Sequence, residues 1–157
     1  MQEKVDIKWQ TLSFFELDNK ALYQIIKLRI DVFVVEQECP YPELDDKDHH
    51  SGVRHLIGRI GEEIAVYCRV LEKGLSYPSP SIGRVIVAKP FRSLKLGHQL
   101  LEEAINTCES LWPEEKRIEI GAQYHLEEYY QRHGFKQIRE MYLEDGIPHI
   151  DMVRQRQ

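Results

Sequence analysis

The sequence predicts a mixed α/β fold, with helices packed against a central sheet in one domain of residues 1–157. Segments with an apolar period of about two residues alternate along the chain with segments of period about 3.6, which indicates strands and helices in turn. One predicted strand, at residues 82–87, is apolar almost throughout, and the clearest helix follows it after a short loop. With 42% hydrophobic residues, a chain of this length can bury a core.

The first half of the chain predicts four strands and one helix. Residues 7–14 alternate loosely between apolar and polar side chains, which indicates a strand. Asp18 is a suitable N-cap for a helix from residue 19 to about residue 33, and Pro40 and Pro42 end regular structure after it. Residues 54–60 and 64–71 predict a hairpin. The apolar residues 82–87 predict a strand covered on both faces.

The second half predicts two helices and three strands. Apolar residues recur with the helical period from Gly97, and Pro113 ends this helix. Residues 117–122 indicate a strand, and residues 126–133 a short helix that Gly134 closes at its C′ position. Residues 135–143 and 149–153 predict the last two strands, with a turn at residues 144–146.

The composition argues against several classes of function. A net charge of −5 argues against a nucleic-acid binder, because phosphate contacts need a basic surface. No apolar run approaches the roughly 20 residues of a membrane-spanning helix, and the charged start of the chain lacks the apolar segment of a signal peptide. Three cysteines without a CxxC pair fit a reducing compartment. We therefore expect a cytoplasmic protein with no nucleic-acid or membrane partner.

The loop between the apolar strand and the clear helix is the most informative part of the chain. It carries Arg92 and Lys95, and the helix opens at Gly97. The first amide groups of a helix have no acceptor within it, and the helix dipole favours negative charge at that end. The loop therefore predicts an anion site, for which we expect a pyrophosphate. The phosphate-binding motif of P-loop NTPases is absent from the sequence.

Three groups of motifs resemble the GNAT superfamily of acyl-CoA-dependent N-acyltransferases. Residues 85–87 and the loop with Arg92 and Gly97 resemble its Arg/Gln-x-x-Gly-x-Gly/Ala motif. The segment from Tyr130 to Phe135 resembles its Tyr-x-x-x-Gly-Phe motif. Residues 33–42, 121–123 and 142–150 resemble the ElaA-like branch. The resemblance covers nearly the whole chain and implies a GNAT-like fold, with a mixed, mostly antiparallel central sheet flanked by helices.

The resemblance implies acetyl-CoA as the co-substrate. Its pantetheine amides would pair with the backbone of Val85 and Val87 as an added strand does. Its pyrophosphate would lie against the loop and the first helical turn, formed by Arg92, Ser93, Leu94, Lys95, Leu96, Gly97 and His98. Lys95 stands where the family usually has glycine, and a Cβ restricts positive φ. We expect the loop either to tilt slightly or to be right-handed at Lys95, whose charge would partly offset the loss.

Tyr130 is the candidate for the acid of the reaction. Transfer of an acetyl group from a thioester to an amine expels a thiolate, and the pKa of a thiol is about 8.5 against about 10 for tyrosine. A neutral tyrosine hydroxyl near the sulfur can therefore protonate the leaving group. The spacing to Gly134 favours Tyr130 over Tyr129. The alternative is that Tyr130 is an ordinary half-buried helix residue.

Glu36 is the candidate for the base that accepts the proton of the amine, because it lies in an ElaA-like segment at the end of the first helix. A chain of water molecules is an alternative, and rival side chains are His125, His149, Glu119 and Asp145. The pocket for the acceptor amine would be lined by Gln123, His125, Glu144, Asp145 and His149. Carboxylates there would suit a cationic amine, although Asp-Gly is also an ordinary hairpin turn.

The charged loop at residues 43–51 raises the question of a metal site. It lacks the glycine and distal glutamate of an EF-hand, and its adjacent histidines would point apart, so we expect a solvated loop and no metal. Cysteine chemistry is not expected either. Cys68 and Cys108 fall on buried faces, whereas Cys39 lies in a Pro-rich loop where exposure is expected but no partner base is visible.

We therefore predict an N-acetyltransferase, in which a primary amine of a small molecule or peptide attacks acetyl-CoA directly within a ternary complex. A backbone amide near Val87 would stabilise the oxygen of the intermediate. The alternative is a catalytically weak acyl-CoA-binding regulatory domain, which Lys95 and the absence of a glutamate at residues 85–87 favour. Sheet edges and exposed tyrosines allow a homodimer.

Overall fold

The computed structural model describes residues 5–156, so residues 1–4, part of the charged start at which no signal peptide is expected, lie outside the described residues. The chain divides into two compact units. The first unit comprises residues 1–69 and 84–100, and the second comprises residues 70–83 and 101–157. Each unit is therefore assembled from two stretches of the chain.

The first sheet has four strands in the order β1-β2-β3-β4, which are β1 (Lys8–Leu12), β2 (Val53–Ile60), β3 (Glu63–Leu71) and β4 (Ser81–Val87). β1 and β2 run antiparallel, with Thr11 opposite Leu56. β2 and β3 are neighbours joined by a turn at Gly61, where φ is 62°, so the predicted hairpin is confirmed. In β3 every residue after the first is buried.

Helix α1 (Asn19–Ile30) begins as the sequence predicts. The Asp18 side chain accepts a hydrogen bond from the Ala21 amide at 2.7 Å and so caps the helix. Helical structure then continues as a π-helical segment, Asp31–Glu36, three residues beyond the predicted end at residue 33. The amide of Gln37 donates to the carbonyl of Val32 at 3.2 Å, the five-residue spacing of a π-turn.

The core of the first unit lies where α1 packs on the sheet. Its buried apolar side chains are Ile25, Ile57, Ile64, Tyr67 and Ile86. Partly buried residues of β1, of α1 and of the π-helical segment extend this cluster, namely Leu12, Leu28, Val32 and Phe33. Burial of this face removes apolar surface from water and holds the π-helical segment, with Glu36 at its end, against the core.

The second sheet has β8 at its centre. Its strands and the two remaining helices are α2 (Gly97–Leu111), β5 (Arg117–Gln123), α3 (Glu127–Gln131), β6 (Phe135–Gln137), β7 (Tyr142–Glu144) and β8 (Ile147–Gln155). β5, β6 and β7 all pair antiparallel with β8. The helix and strand order therefore agrees with the predicted mixed α/β fold.

The predicted single strand at residues 135–143 is wrong, because it divides into β6 and β7. Gln137 pairs with Met152 and Tyr142 pairs with His149. The chain thus advances five residues (142 − 137) while β8 advances three (152 − 149). A ladder cannot accommodate the two extra residues. The amide of Ile138 still donates to the carbonyl of Asp151 at 3.0 Å, so the chain leaves the ladder over residues 139–141, as at a bulge.

The second sheet carries apolar side chains on one face and polar side chains on the other. Ile118, Ile120 and Ala122 alternate along β5 and are buried. The residues between them share the opposite face with their partners on β8, since Gly121 pairs with Asp151 and Gln123 with His149. This polar face contains several of the predicted site residues.

Candidate active site

The loop between β4 and α2 is ordered by a 3₁₀ segment, Lys89–Leu94, followed by Lys95. Lys95 has φ 56° and ψ 43°, so the right-handed conformation, one of the two alternatives expected here, is wrong. A left-handed residue with a Cβ costs about 1–2 kcal/mol. Leu96 is buried, and its carbonyl accepts the Leu100 amide at 3.0 Å, which starts α2. Lys95 therefore takes the conformation that glycine would adopt without strain.

The exposure along this loop changes at Lys95. Arg92, Ser93, Leu94 and Lys95 are exposed, whereas Gly97 and His98 are half-buried. Gly97 and His98 are the first two residues of the fifteen-residue helix α2. The exposed loop and the positive end of the helix dipole together make a surface suited to an anion.

Strand β4 is less covered than the sequence predicts. Ile82 and Ile86 are buried, but Val85 and Val87 are only half-buried, so the prediction of a strand covered on both faces is wrong. β4 is the last strand of the first sheet, and it contains a left-handed residue, Arg84, with φ 52°. Such residues occur at β-bulges, which disturb the alternation of side chains and the ladder of hydrogen bonds. β4 therefore presents an irregular edge at the predicted pantetheine positions.

The structure brings together Glu36, Arg92 and Val87. The Arg92 guanidinium donates two hydrogen bonds to the Glu36 carboxylate, NH1 to Oε1 at 2.7 Å and NH2 to Oε2 at 2.8 Å. Its Nε donates to the carbonyl of Val87 at 3.0 Å. The hydrogen bond from Arg92 holds the pKa of Glu36 below its ordinary value, and Glu36 in turn raises the pKa of Arg92. The candidate base is thus an ion-pair partner of the candidate anion loop.

The charged loop at residues 43–51 is held by ion pairs, so the expectation of a solvated loop is wrong. Arg29 donates from Nε to Glu43 at 2.7 Å and from NH1 to Asp48 at 2.6 Å. Arg69 binds Asp45 and Asp48, and Arg84 binds Glu43 at 2.8 Å. Burial opposes ionisation of Asp48, but the hydrogen bond and charge of Arg29 outweigh it and keep its pKa below the ordinary value. Cys39, which precedes this loop, is also buried, contrary to the expected exposure.

Tyr130 lies in the second unit, on the short helix α3. Its side chain is buried, and its ring meets the rings of Tyr129 and Phe135 edge to face, with centroids 4.8 Å and 5.9 Å apart. The predicted helix over 126–133 starts as a 3₁₀ turn, Tyr124–Leu126, before α3. Gly134 has φ 88°, as the predicted C′ glycine requires. The ring of Tyr130 is therefore held in one orientation by aromatic contacts.

The predicted acceptor residues lie around β7, β8 and the end of β5. Gln123 pairs with His149 across the sheet, and His149 Nε2 lies 3.6 Å from a carboxylate oxygen of Glu144. His149 is nearly buried and stacks on the ring of Tyr142. Asp145, with φ 50°, and Gly146, with φ 78°, form the predicted turn. His125 lies exposed in the 3₁₀ turn after β5.

Sequence reasoning missed a cluster around Asp151 on the same polar face. Tyr142 donates to Asp151 Oδ1 at 2.9 Å and Tyr77 at 3.3 Å, while Arg139 NH1 donates to Oδ2 at 3.0 Å. Arg139 also reaches the buried Glu119 at 3.4 Å. Burial and the hydrogen bond to Asp151 raise the pKa of Tyr142 to about 12. The sequence offered one signal for this cluster, Gly121. This glycine pairs with Asp151, and its lack of a Cβ leaves room for the hydroxyl groups of Tyr77 and Tyr142.

Comparison with known families decides how these features are to be interpreted. The family model described as "Acetyltransferase (GNAT) domain" matches residues 27–156. The chain belongs to the GNAT acetyltransferase family. This GNAT chain is similar to protein ElaA of Escherichia coli (strain K12), with 43% identity over 149 residues, which are 95% of the chain and 97% of ElaA.

Solved structures support the same assignment. The crystal structure of Escherichia coli ElaA matches this GNAT chain with a TM-score of 0.88 at 42% identity, covering 95% of it and 99% of ElaA. An acyl-CoA N-acyltransferase from Pseudomonas aeruginosa matches with a TM-score of 0.89 at 40% identity, covering 95% and 99% of the two chains. The predicted GNAT-like fold, with mixed antiparallel sheets flanked by helices, and the ElaA-like branch are therefore confirmed. Acyl transfer from an acyl-CoA is supported as the general activity.

No described helix is long and apolar enough to cross a membrane. No group of three or more histidine, cysteine, aspartate or glutamate side chains in the described part of the chain could hold a metal ion.

Proposed function

We propose that the protein is an N-acetyltransferase that moves the acetyl group of acetyl-CoA to a primary amine by direct attack within a ternary complex. The observation that carries the proposal is the loop before α2 in a chain of the GNAT family. Lys95 has a left-handed backbone at the position where the family usually has glycine, so its Cβ does not divert the loop. In this proposal both units belong to one acyltransferase domain.

The proposed acyl-CoA site follows the loop and β4. The pyrophosphate lies against the loop and the first turn of α2, formed by Arg92, Ser93, Leu94, Lys95, Leu96, Gly97 and His98. The pantetheine amides pair with the backbone of Val85 and Val87. The exposure of the loop, the half-burial of the two valines and the dipole of α2 support this arrangement.

Tyr130 is proposed as the acid that protonates the leaving thiolate. Its edge-to-face contacts with Tyr129 and Phe135 support this role, because they fix the ring and thereby the direction of the hydroxyl. A neutral tyrosine hydroxyl near the sulfur can donate its proton to the thiolate. A backbone amide near Val87 is proposed to stabilise the oxygen of the tetrahedral intermediate.

Glu36 is proposed as the base, subject to one condition. In the free protein its carboxylate is bound by Arg92 and its pKa is lowered, which makes it a weak base. It can accept a proton from the amine effectively only after that ion pair has opened. Glu119, His125, Asp145 and His149 stay its rivals.

The acceptor is proposed to be a cationic amine bound on the polar face of β5, β7 and β8. The exposed carboxylate of Glu144 supports this choice, because it favours a positive charge nearby. The site predicted from the sequence comprises Gln123, His125, Glu144, Asp145 and His149. The cytoplasmic location and the homodimer stay predictions of the sequence.

A second candidate function is a catalytically weak acyl-CoA-binding regulatory domain. The pairing of Glu36 with Arg92 favours it, because this pairing weakens the candidate base while the loop for the co-substrate is retained. The two functions differ in turnover rather than in binding.

The experiment combines the protein with acetyl-CoA and a panel of primary amines, and follows thiol release with a thiol reagent. Background from the protein should be low, because Cys39, Cys68 and Cys108 are all buried. Amine-dependent release above the rate of hydrolysis supports the acetyltransferase. Binding of CoA without turnover on any amine supports the regulatory domain, and failure to bind CoA contradicts both.

A further inference from the structure

Arg92 connects two groups that have separate tasks in the proposed reaction. Its NH1 and NH2 groups bind both oxygens of Glu36, the candidate base, at 2.7 and 2.8 Å. Its Nε binds the carbonyl oxygen of Val87, a proposed partner of pantetheine, at 3.0 Å. The guanidinium of the proposed pyrophosphate loop is thus occupied by the protein itself.

The ion pair with Glu36 neutralises the positive charge with which Arg92 would bind a phosphate. A bidentate carboxylate matches the guanidinium in shape and neutralises it, and a phosphate uses the same donors. The two side chains are 42% and 33% exposed. Ion pairs with this exposure are weak and can exchange one anion for another.

The location of Glu36 gives this exchange a consequence. Glu36 ends the π-helical segment and is 56 residues before Arg92 in sequence. The two side chains meet only through the fold of the first unit. A change of partner at Arg92 therefore changes the hydrogen bonds of the Glu36 carboxylate, which belongs to a different element.

We infer that Arg92 has two alternative partners, the Glu36 carboxylate in the free protein and the pyrophosphate of acyl-CoA in the complex. This inference rests on the proposed function. When Arg92 turns to the phosphates, Glu36 loses the hydrogen bond that chiefly lowers its pKa and becomes a stronger base. Lys89, which also lowers the pKa of Glu36, remains near it. The base is thus made available only when the acetyl donor is present.

The test is the affinity for CoA of a double-mutant cycle, measured by titration calorimetry. Glu36→Gln removes the competing carboxylate and should tighten CoA binding about two- to fivefold, the range expected for an exposed ion pair. Arg92→Gln should weaken binding. In the Arg92→Gln background, Glu36→Gln should have no further effect, because its effect passes through Arg92.

Asp31→Asn is the matched control. Asp31 is an exposed carboxylate of the same π-helical segment, but it pairs with Lys27 at 2.6 Å. It removes the same charge without touching Arg92 and should leave the affinity for CoA unchanged within about 1.5-fold, since an exposed i,i+4 pair is weak. Circular dichroism of each variant checks that the fold is retained.

Three results would overturn the inference. Weaker CoA binding by Glu36→Gln would show that Glu36 assists the loop rather than competing with the phosphates. An equal gain with and without Arg92 would show general charge repulsion. Failure of the unaltered protein to bind CoA would overturn the proposed function together with the inference, whereas the first two results leave the proposed function standing.

Discussion

Lys95 is a lysine at a position where the backbone is left-handed. Its φ of 56° puts the Cβ close to its own carbonyl group, which strains any residue other than glycine. Its ammonium group stands in the exposed part of the proposed pyrophosphate loop. The residue therefore combines a backbone cost with a charge that can interact with the co-substrate.

Replacing Lys95 separates these two contributions. The free energy of unfolding of Lys95→Gly should be about 1 kcal/mol higher than that of Lys95→Ala, because only glycine relieves the left-handed strain. Both variants lose the charge of Lys95. They should bind CoA less tightly than the unaltered protein does, and to about the same extent as each other. Urea unfolding and calorimetric titration measure the two effects. Equal stability of the two variants would contradict the assigned backbone strain.

Tyr130 is a second residue with a separable role. Tyr130→Phe keeps the ring contacts with Tyr129 and Phe135 but removes the hydroxyl. We expect kcat to fall by about 10²–10⁴, the usual contribution of a general acid, with the Kd for CoA changed less than twofold. Thiol release and calorimetry measure both.

Tyr129→Phe is the control for this substitution, since Tyr129 is adjacent and also in aromatic contact. It should retain the activity of the unaltered protein. Unchanged turnover of Tyr130→Phe would remove Tyr130 from the acid role.

At the scale of elements, the polar face of the second sheet depends on a glycine in β5. A Cβ at Gly121 would lie 2.5 Å from the Tyr77 hydroxyl and 3.0 Å from the Tyr142 hydroxyl. Both hydroxyl groups donate to Asp151, so displacing either ring disturbs a hydrogen bond. Gly121 is needed for the space it leaves and not for its backbone conformation, because its φ lies outside the positive range that favours glycine.

Gly121→Ala should therefore lower the free energy of unfolding by about 1–3 kcal/mol, the usual effect of overpacking. Adding Tyr77→Phe, which removes the nearer hydroxyl, should recover part of the loss. Gly83→Ala in β4 is the control, because a Cβ there meets nothing within 4 Å. Urea unfolding of Gly121→Ala, Tyr77→Phe, the double variant and Gly83→Ala measures the coupling, and strictly additive losses would contradict the contact.

At the scale of the whole molecule, the buried ion pairs of the first unit tie the loop at residues 43–51 to three elements. Arg29 comes from α1, Arg69 from β3 and Arg84 from β4. Glu43 and Asp48 are buried, and three arginines share the carboxylates of Glu43, Asp45 and Asp48, so removal of Glu43 or Asp48 leaves the cluster with one more positive than negative charge. The stability of this unit is therefore sensitive to pH.

Asp48→Asn should lower the free energy of unfolding at pH 7 by about 3 kcal/mol, whereas the exposed Asp31→Asn should change it by about 0.5 kcal/mol or less. The folded-state pKa of Asp48 is lowered, so its contribution is present above the unfolded pKa of about 4 and is lost as pH falls below it. The difference between Asp48→Asn and the unaltered protein should shrink on acidification. Unfolding by urea at several pH values measures this trend, and a difference that grows at low pH would contradict it.

The features that the sequence predicted correctly depend on neighbours in the chain. The Asp18 cap, the Gly134 C′ position, the Asp145-Gly146 turn and the period of α2 each involve residues within about one or two turns of one another. The family also follows from short motifs. The strand at residues 135–143 failed because its register is set by β8, which is a distant partner.

The sequence by itself determined the order of helices and strands, the GNAT family and the loop at Arg92, because periodicity, caps and motifs are local. Only the tertiary structure decided that Lys95 is left-handed, that Glu36 binds Arg92 and that residues 43–51 are anchored by buried arginines. These features join residues 14 to 56 positions apart or depend on the packing around a turn. Their energies come from burial and from charge pairing between elements, which no local pattern of residues records.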